Sequence, residues 1–101
     1  MIAETTIHCV GEQYSFHVFK RMLERGISRL MISQVLKYGT IINEYPDDKP
    51  YPSKLILKFV DSKPIHVVVS QDEEGKCYII TAYEPEPSIW SNDFTTKTKE
   101  T

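Results

Sequence analysis

A chain of 101 residues can bury one hydrophobic core but not two, so a single domain over 1–101 is expected, with its core in 13–90. A hydrophobic share of 41% with 26% charged residues excludes a disordered chain, and a net charge of -2 excludes an undirected polyanion binder. The opening residues contain Glu4 and His8 and no long apolar run, so neither a secretory leader nor a membrane span is expected and the cytoplasm is the expected compartment.

The charges are unevenly spread. Gln13 to Lys63 holds nine Lys or Arg against five Asp or Glu, a local +4, whereas Gln71 to Thr101 holds three against seven, a local -4. A basic middle on an acidic protein permits a local phosphate-binding groove. Cys9 and Cys77 lack the paired spacing of a zinc knuckle and are expected as two free thiols in a reducing compartment.

In chain order, Phe16 to Arg25 reads as a first helix. Phe16, Phe19 and Leu23 recur at helical spacing, Val18 and Met22 widen the same stripe, and Gly26 stands where a helix stops. His17, Lys20, Arg21 and Glu24 fall on the polar arc, with Arg25 on its border. Ser28 suits the N-cap of a second helix with Ile32, Val35 and Leu36 inside, ended by Gly39. From Thr40 a short β-prone run through Ile41, Ile42 and Tyr45 stops at a segment with prolines at 46, 50 and 52, which excludes a central strand there. Lys54 to Val60, Ile65 to Ser70 and Cys77 to Tyr83 alternate as strands, giving a three-stranded antiparallel meander, or four strands with the run at Ile41. The fold class expected is α+β, two N-terminal helices on that sheet. An edge strand over Thr5 to Val10 and a frayed polar tail over Thr95 to Thr101 complete the reading.

The two-residue period of a strand makes the register testable. Pairing Asp72 with Cys77 sets His66 opposite Tyr83 and Val68 opposite Thr81, and collects Ile65, Val67, Val69, Ile80 and Ala82 on one face. A three-residue loop at Asp61 to Lys63 adds Leu55, Leu57 and Phe59 to that face. Lys54, Lys58, His66, Thr81 and Tyr83 are then expected on the opposite, open face.

No phosphate-cradling glycine loop, nucleophile elbow or metal-ligand motif occurs, so no cofactor and no metal are expected; His8, His17 and His66 have no Cys or carboxylate at supporting spacing. His66, Tyr83, Lys54 and Lys58 are the residue types that metal-free acid/base chemistry on a phosphate needs: imidazole transfers protons near neutral pH, a phenol orients, lysines offset developing charge. In RNA cleavage the ribose 2′-hydroxyl is the nucleophile, so the protein needs none. The plainer alternative is a cross-strand surface pair. His17, Arg21 and Arg25 follow one another along one side of the first helix and could hold phosphate, or form a solvated face with Glu24 screening Arg21.

The run His17-x-x-x-Arg21-Met22-x-x-Arg25-Gly26-Ile27-Ser28 resembles the opening motif of the domain of unknown function 4258 family. Tyr45-Pro46-Asp47-Asp48-Lys49-Pro50-Tyr51-Pro52, Pro64-Ile65-His66-Val67-Val68-Val69, Ile80-Thr81-Ala82-Tyr83-Glu84-Pro85 and Trp90 resemble its later blocks in order. The resemblance implies a relative of the RelE/ParE toxins, the toxin half of a bacterial type II toxin–antitoxin pair. It implies a ribonuclease acting on mRNA, with His17, Arg21, Arg25, His66 and Tyr83 as the positions that carry over; joined to the reading of the residues, the expectation is a metal-independent endoribonuclease with His17, His66 and Tyr83 catalytic and Arg21, Arg25, Lys54 and Lys58 on substrate. The partners implied are a cognate antitoxin with Cys-x-x-Cys motifs, similar to that of the MqsR toxin, and RNA or the ribosome; no membrane is implied. The alternative expectations are a non-catalytic protein-binding module that inhibits its target as ParE-like relatives do, and an inactive remnant without enzyme activity.

Overall fold

A computed structural model of the chain describes residues 6–98. Strand β1 (Gly11–Tyr14) leads into helices α1 (Phe16–Arg25) and α2 (Arg29–Tyr38), followed by β2 (Thr40–Tyr45), β3 (Ser53–Val60), β4 (Lys63–Gln71) and β5 (Lys76–Tyr83). The architecture is α+β, with five strands in the order β1-β5-β4-β3-β2. The sheet is mixed, not purely antiparallel, because β1 runs parallel to β5 from Gly11↔Lys76 to Tyr14↔Ile79. This edge strand lies later than expected: no strand forms over Thr6–Val10, and Thr5 is outside the described residues.

Both helices start and stop for local reasons. The Ser15 and Ser28 hydroxyls accept from the N–H groups of Val18 and Met31, each at 3.1 Å, satisfying first-turn donors. Gly26 adopts φ 68°, a left-handed position that only glycine takes without strain, and the Ile27 N–H returns to the Met22 carbonyl. Gly39 serves differently. A Cβ there would lie 2.6 Å from Ile56 Cγ2 and 2.8 Å from the Leu57 carbonyl, and it would also clash with the Val35 carbonyl. Because two of these neighbours are backbone, Gly39→Ala is expected to cost about 1–3 kcal/mol by overpacking, seen as a lower denaturant midpoint with unchanged slope.

Ile32, Val35 and Leu36 of α2 pack with Ile56, Ile65, Val67, Val69, Ile79 and Ala82 in one core. The first helix buries a narrower stripe than expected, Val18 and Met22 alone. Phe16 and Leu23 remain 85% and 75% exposed, because α1 meets the sheet mainly along β5 and turns its broader apolar arc to solvent.

Two register details reverse parts of the expected faces. The β3–β4 turn has two residues, Asp61 and Ser62, at φ 50° and 70°, the mirror-image geometry that suits the twist of a hairpin. Leu57 therefore lies opposite His66, and Lys58 opposite Ile65. One residue fewer in the turn moves Leu55, Leu57 and Phe59 onto the face of His66, and carries Lys54 and Lys58 away from it. In β4–β5, pairing starts at Gln71↔Cys77, and a bulge at Ile80 restores the expected His66↔Tyr83, Val67↔Ala82 and Val68↔Thr81 pairs. Ile79 takes the core position expected of Ile80, which is 46% exposed.

The face of His66 is not open. Residues 84–98 fold back over it, and Thr95 to Thr98 belong to this layer: the Ser91 N–H donates to Thr96, Thr98 donates to Ile89, and Trp90 bridges Lys97. Phe94 packs edge-on against Phe59 at 6.0 Å. Residues 99–101 lie outside the described residues.

The two cysteines correct a further expectation. Cys9 and Cys77 form a disulfide with Cα atoms 5.5 Å apart, since β1 lays the residues before it against β5. That segment is also held by Ile7, whose N–H donates to the Leu36 carbonyl at 2.8 Å. Among the described residues no helix is long and apolar enough to cross a membrane.

Candidate functional site

Because β1 pairs only as far as Ile79, the outer edge of β5 beyond it is left to α1. The helix answers with its basic side. The Arg25 guanidinium donates to the Ala82 carbonyl at 2.8 Å, satisfying an edge acceptor that no strand reaches. Between helix and edge lies a cavity of about 170 Å³, lined by His17, Arg21 and Arg25 on one side and Ile80, Thr81 and Ala82 on the other, with Val18 beneath. His17 and Arg21 are exposed. Glu24 lies 3.2 Å from Arg21 in an exposed i,i+3 pair, weak enough to yield to a phosphate. The groove thus offers one imidazole and two guanidiniums to an anion, one of the guanidiniums already bonded to the Ala82 carbonyl.

Arg25 also lines a second, larger cleft of about 470 Å³, with Tyr83, Glu84, Glu86, Ile89 and Trp90. The two spaces adjoin at its side chain. Proline residues at 85 and 87 break β5 just beyond Tyr83 and turn the chain into the layer that forms this wall.

His66 stands behind Tyr83 and Trp90 with no exposed surface. Its Nε2 lies 2.9 Å from the Phe94 carbonyl, which can only accept, so Nε2 carries the proton and donates. Nδ1, 3.2 Å from the Tyr83 oxygen, is then the acceptor and the phenol donates. The Trp90 ring meets the imidazole edge-on, centroids 4.5 Å apart. Both nitrogens are occupied, and the residue expected on an open polar face is a buried brace that fixes Tyr83 and Trp90. Burial holds its pKa below the ordinary 6.5, against the opposing bond to Phe94, and pushes the Tyr83 phenol above 10.0.

The depressed imidazole makes stability pH-dependent. Below pH 6.5 the unfolded chain binds a proton that the native chain does not, so this contribution is full above 6.5 and is lost as pH falls toward the folded pKa. The slope is at most about 1.4 kcal/mol per pH unit. Urea midpoints at pH 7 and pH 5.5 for the wild type and for His66→Gln check this: the wild type is expected to lose the larger share of its stability over that interval.

Of the residues expected in the site, the structure brings together His17, Arg21 and Arg25, and joins them to Tyr83 through Arg25. It does not bring in Lys54, which lines a separate hollow with Ile7 and Gln71, nor Lys58, which shares the face of Ile65. His66 contributes only from behind. The register slip set these lysines apart, and nothing in their alternation signalled it. Sequence reading missed Ile80 and Thr81 as groove wall, and Glu84, Glu86 and Trp90 as cleft wall; the proline pair after Tyr83 was the available signal.

A further polar group sits on another side of the fold. Glu12 accepts from the Tyr14 phenol at 2.6 Å and from Ser33, with the Arg29 guanidinium 5.3 Å from the Tyr14 ring centre. Burial first, then Glu12, push the Tyr14 phenol well above its ordinary value. Its partners are mutually satisfied, so it reads as the seam between β1 and α2. Among the described residues, no group of three or more His, Cys, Asp or Glu is placed to hold a metal ion.

No curated protein and no solved structure matches the chain. The family model described as domain of unknown function (DUF4258) matches residues 14–84, from the end of β1 to the first residue after β5, and the chain belongs to that family.

Proposed function

We propose that this protein is an RNA endonuclease acting in the cytoplasm as the toxin of a bacterial type II toxin–antitoxin pair of the RelE/ParE kind, with the α1–β5 groove as its working surface. The observation that carries the reading is the convergence of His17, Arg21 and Arg25 on one cavity beside a strand edge. Arg21 and Arg25 hold the scissile phosphate and offset the charge that develops on it. His17, the exposed imidazole of the groove, takes the proton from the ribose 2′-hydroxyl. The 2′-oxygen then bonds to phosphorus as the bond to the 5′-oxygen breaks, leaving a cyclic phosphate and a 5′-hydroxyl that receives a proton from solvent. Tyr83, braced by His66, orients the neighbouring nucleotide. Lys54 and Lys58 have no part in this assignment. The partner is an antitoxin encoded alongside.

Induced expression is expected to arrest growth, and the purified protein to cut RNA, alone or on ribosomes. Normal growth with intact RNA under both conditions would end the enzyme reading.

One observation favours a second reading, a non-catalytic module that binds and inhibits a protein. Phe16, Phe19 and Leu23 form an exposed apolar arc on α1, beside the basic one. If growth arrest survives His17→Ala but is lost on Phe16→Ser with Leu23→Ser, protein binding is the activity.

A further inference from the structure

The geometry points to a nucleotide site selective for guanine, in which the α1–β5 groove takes the phosphate and the adjoining cleft takes the base. It rests on the proposed phosphate-binding role of the groove and names the part of the substrate that would sit next to it. Three observations carry it. First, Arg25 lines both spaces and is fixed at their boundary by its bond to the Ala82 carbonyl, so a ligand spanning them meets a guanidinium at its middle. Secondly, the cleft is walled by Trp90, Tyr83 and Ile89, flat or apolar surfaces of the kind on which an unpaired base stacks. Trp90 is held in place by its edge-on packing with the buried His66.

Thirdly, the polar groups at the cleft are unlike those of the groove. Glu84 and Glu86 line it, and ionised carboxylates only accept hydrogen bonds. Guanine presents two adjacent donors, N1–H and the N2 amino group, which match the two oxygens of one carboxylate. Uracil presents one N–H between two carbonyls, which a carboxylate repels. A cationic groove beside a stacking wall with carboxylates therefore selects a guanine nucleotide over a uracil one. It also disfavours a bare polyphosphate in the cleft, whose charge Glu84 and Glu86 oppose.

Trp90 is the single tryptophan, so its fluorescence reports on the cleft directly. The intact chain is titrated with 5′-GMP, 5′-UMP and inorganic phosphate, following fluorescence and heat. GMP is expected to bind at least about tenfold more tightly than UMP and to change the emission of Trp90. Phosphate is expected to bind weakly and leave the emission unaltered. Glu84→Gln with Glu86→Gln is expected to bring GMP and UMP within about twofold of each other without changing affinity for phosphate. Equal binding of the two nucleotides to the wild type, or GMP binding that leaves Trp90 unchanged, overturns the proposal. A short labelled RNA separates this from the wider reading: binding that depends on His17 and Arg21 but shows no base preference leaves the RNA reading standing and removes this one, whereas binding of neither RNA nor nucleotide removes both.

Discussion

His17→Ala is expected to lower RNA cleavage by roughly 10²–10⁴-fold, the usual contribution of a positioned acid or base, while leaving the fold intact. The side chain is exposed in the first turn of α1, and alanine is the better helix former, so the thermal midpoint is expected to move by no more than a degree or two. His66→Ala is the instructive contrast. It removes a fully buried ring that bonds Tyr83 and Phe94, so any loss of activity comes together with a loss of stability, by roughly 2–4 kcal/mol. Activity and melting measured on both variants separate the histidine proposed to face substrate from the one that holds the wall. Equal activity of His17→Ala and wild type would remove His17 from the chemistry.

Opening the Cys9–Cys77 bridge is expected to be the largest single change to stability. The bridge joins residues 68 apart in sequence, and the chain-entropy argument for a loop of that size gives roughly 4 kcal/mol, of which 2–4 is the usual yield. For a domain of this length the thermal midpoint is then expected to fall by roughly 10–25 °C in dithiothreitol, and by a similar amount in Cys9→Ala without it. The segment just before β1 loses its covalent tie to β5, although Ile7 and its bond to Leu36 remain. Identical melting with and without reductant would show that the bridge is not formed in solution. The result also bears on compartment. A reducing cytoplasm keeps such pairs as thiols, so activity there belongs to the reduced chain, and assays run in both redox states show which form works.

Helix boundaries were legible because they are decided locally. Ser28 before an apolar period and Gly26 after one fix where backbone donors and acceptors are satisfied, whatever the tertiary structure does. The β4–β5 register was legible at His66 and Tyr83 for an accidental reason: a wrong phase at the turn was cancelled by a bulge at Ile80. The faces of β3 were not legible. Leu55, Leu57 and Phe59 make the more apolar side, yet it is the side of His66, where a C-terminal layer folds back, while Lys54 and Lys58 share the other side with Ile56, and a two-residue turn at Asp61 and Ser62 reads much like a three-residue one at Asp61 to Lys63. The same layer explains the misplacing of His66. Nothing in Ile65 to Ser70 says that Phe94 will return to cap it. Of the site, the basic side of α1 was visible as a spacing, whereas its groove depends on where β1 ends, a non-local fact.

The account's central claim is that the working surface is the α1–β5 groove, not the face of the sheet. The most direct test is an amide-resolved NMR titration of the labelled protein with a short single-stranded RNA. Shifts concentrated in His17–Arg25 and Ile80–Tyr83, with none at Tyr45, Ser53 or Tyr78, are the predicted result. Shifts confined to Tyr45, Ser53 and Tyr78, or none anywhere at saturating RNA, would contradict it.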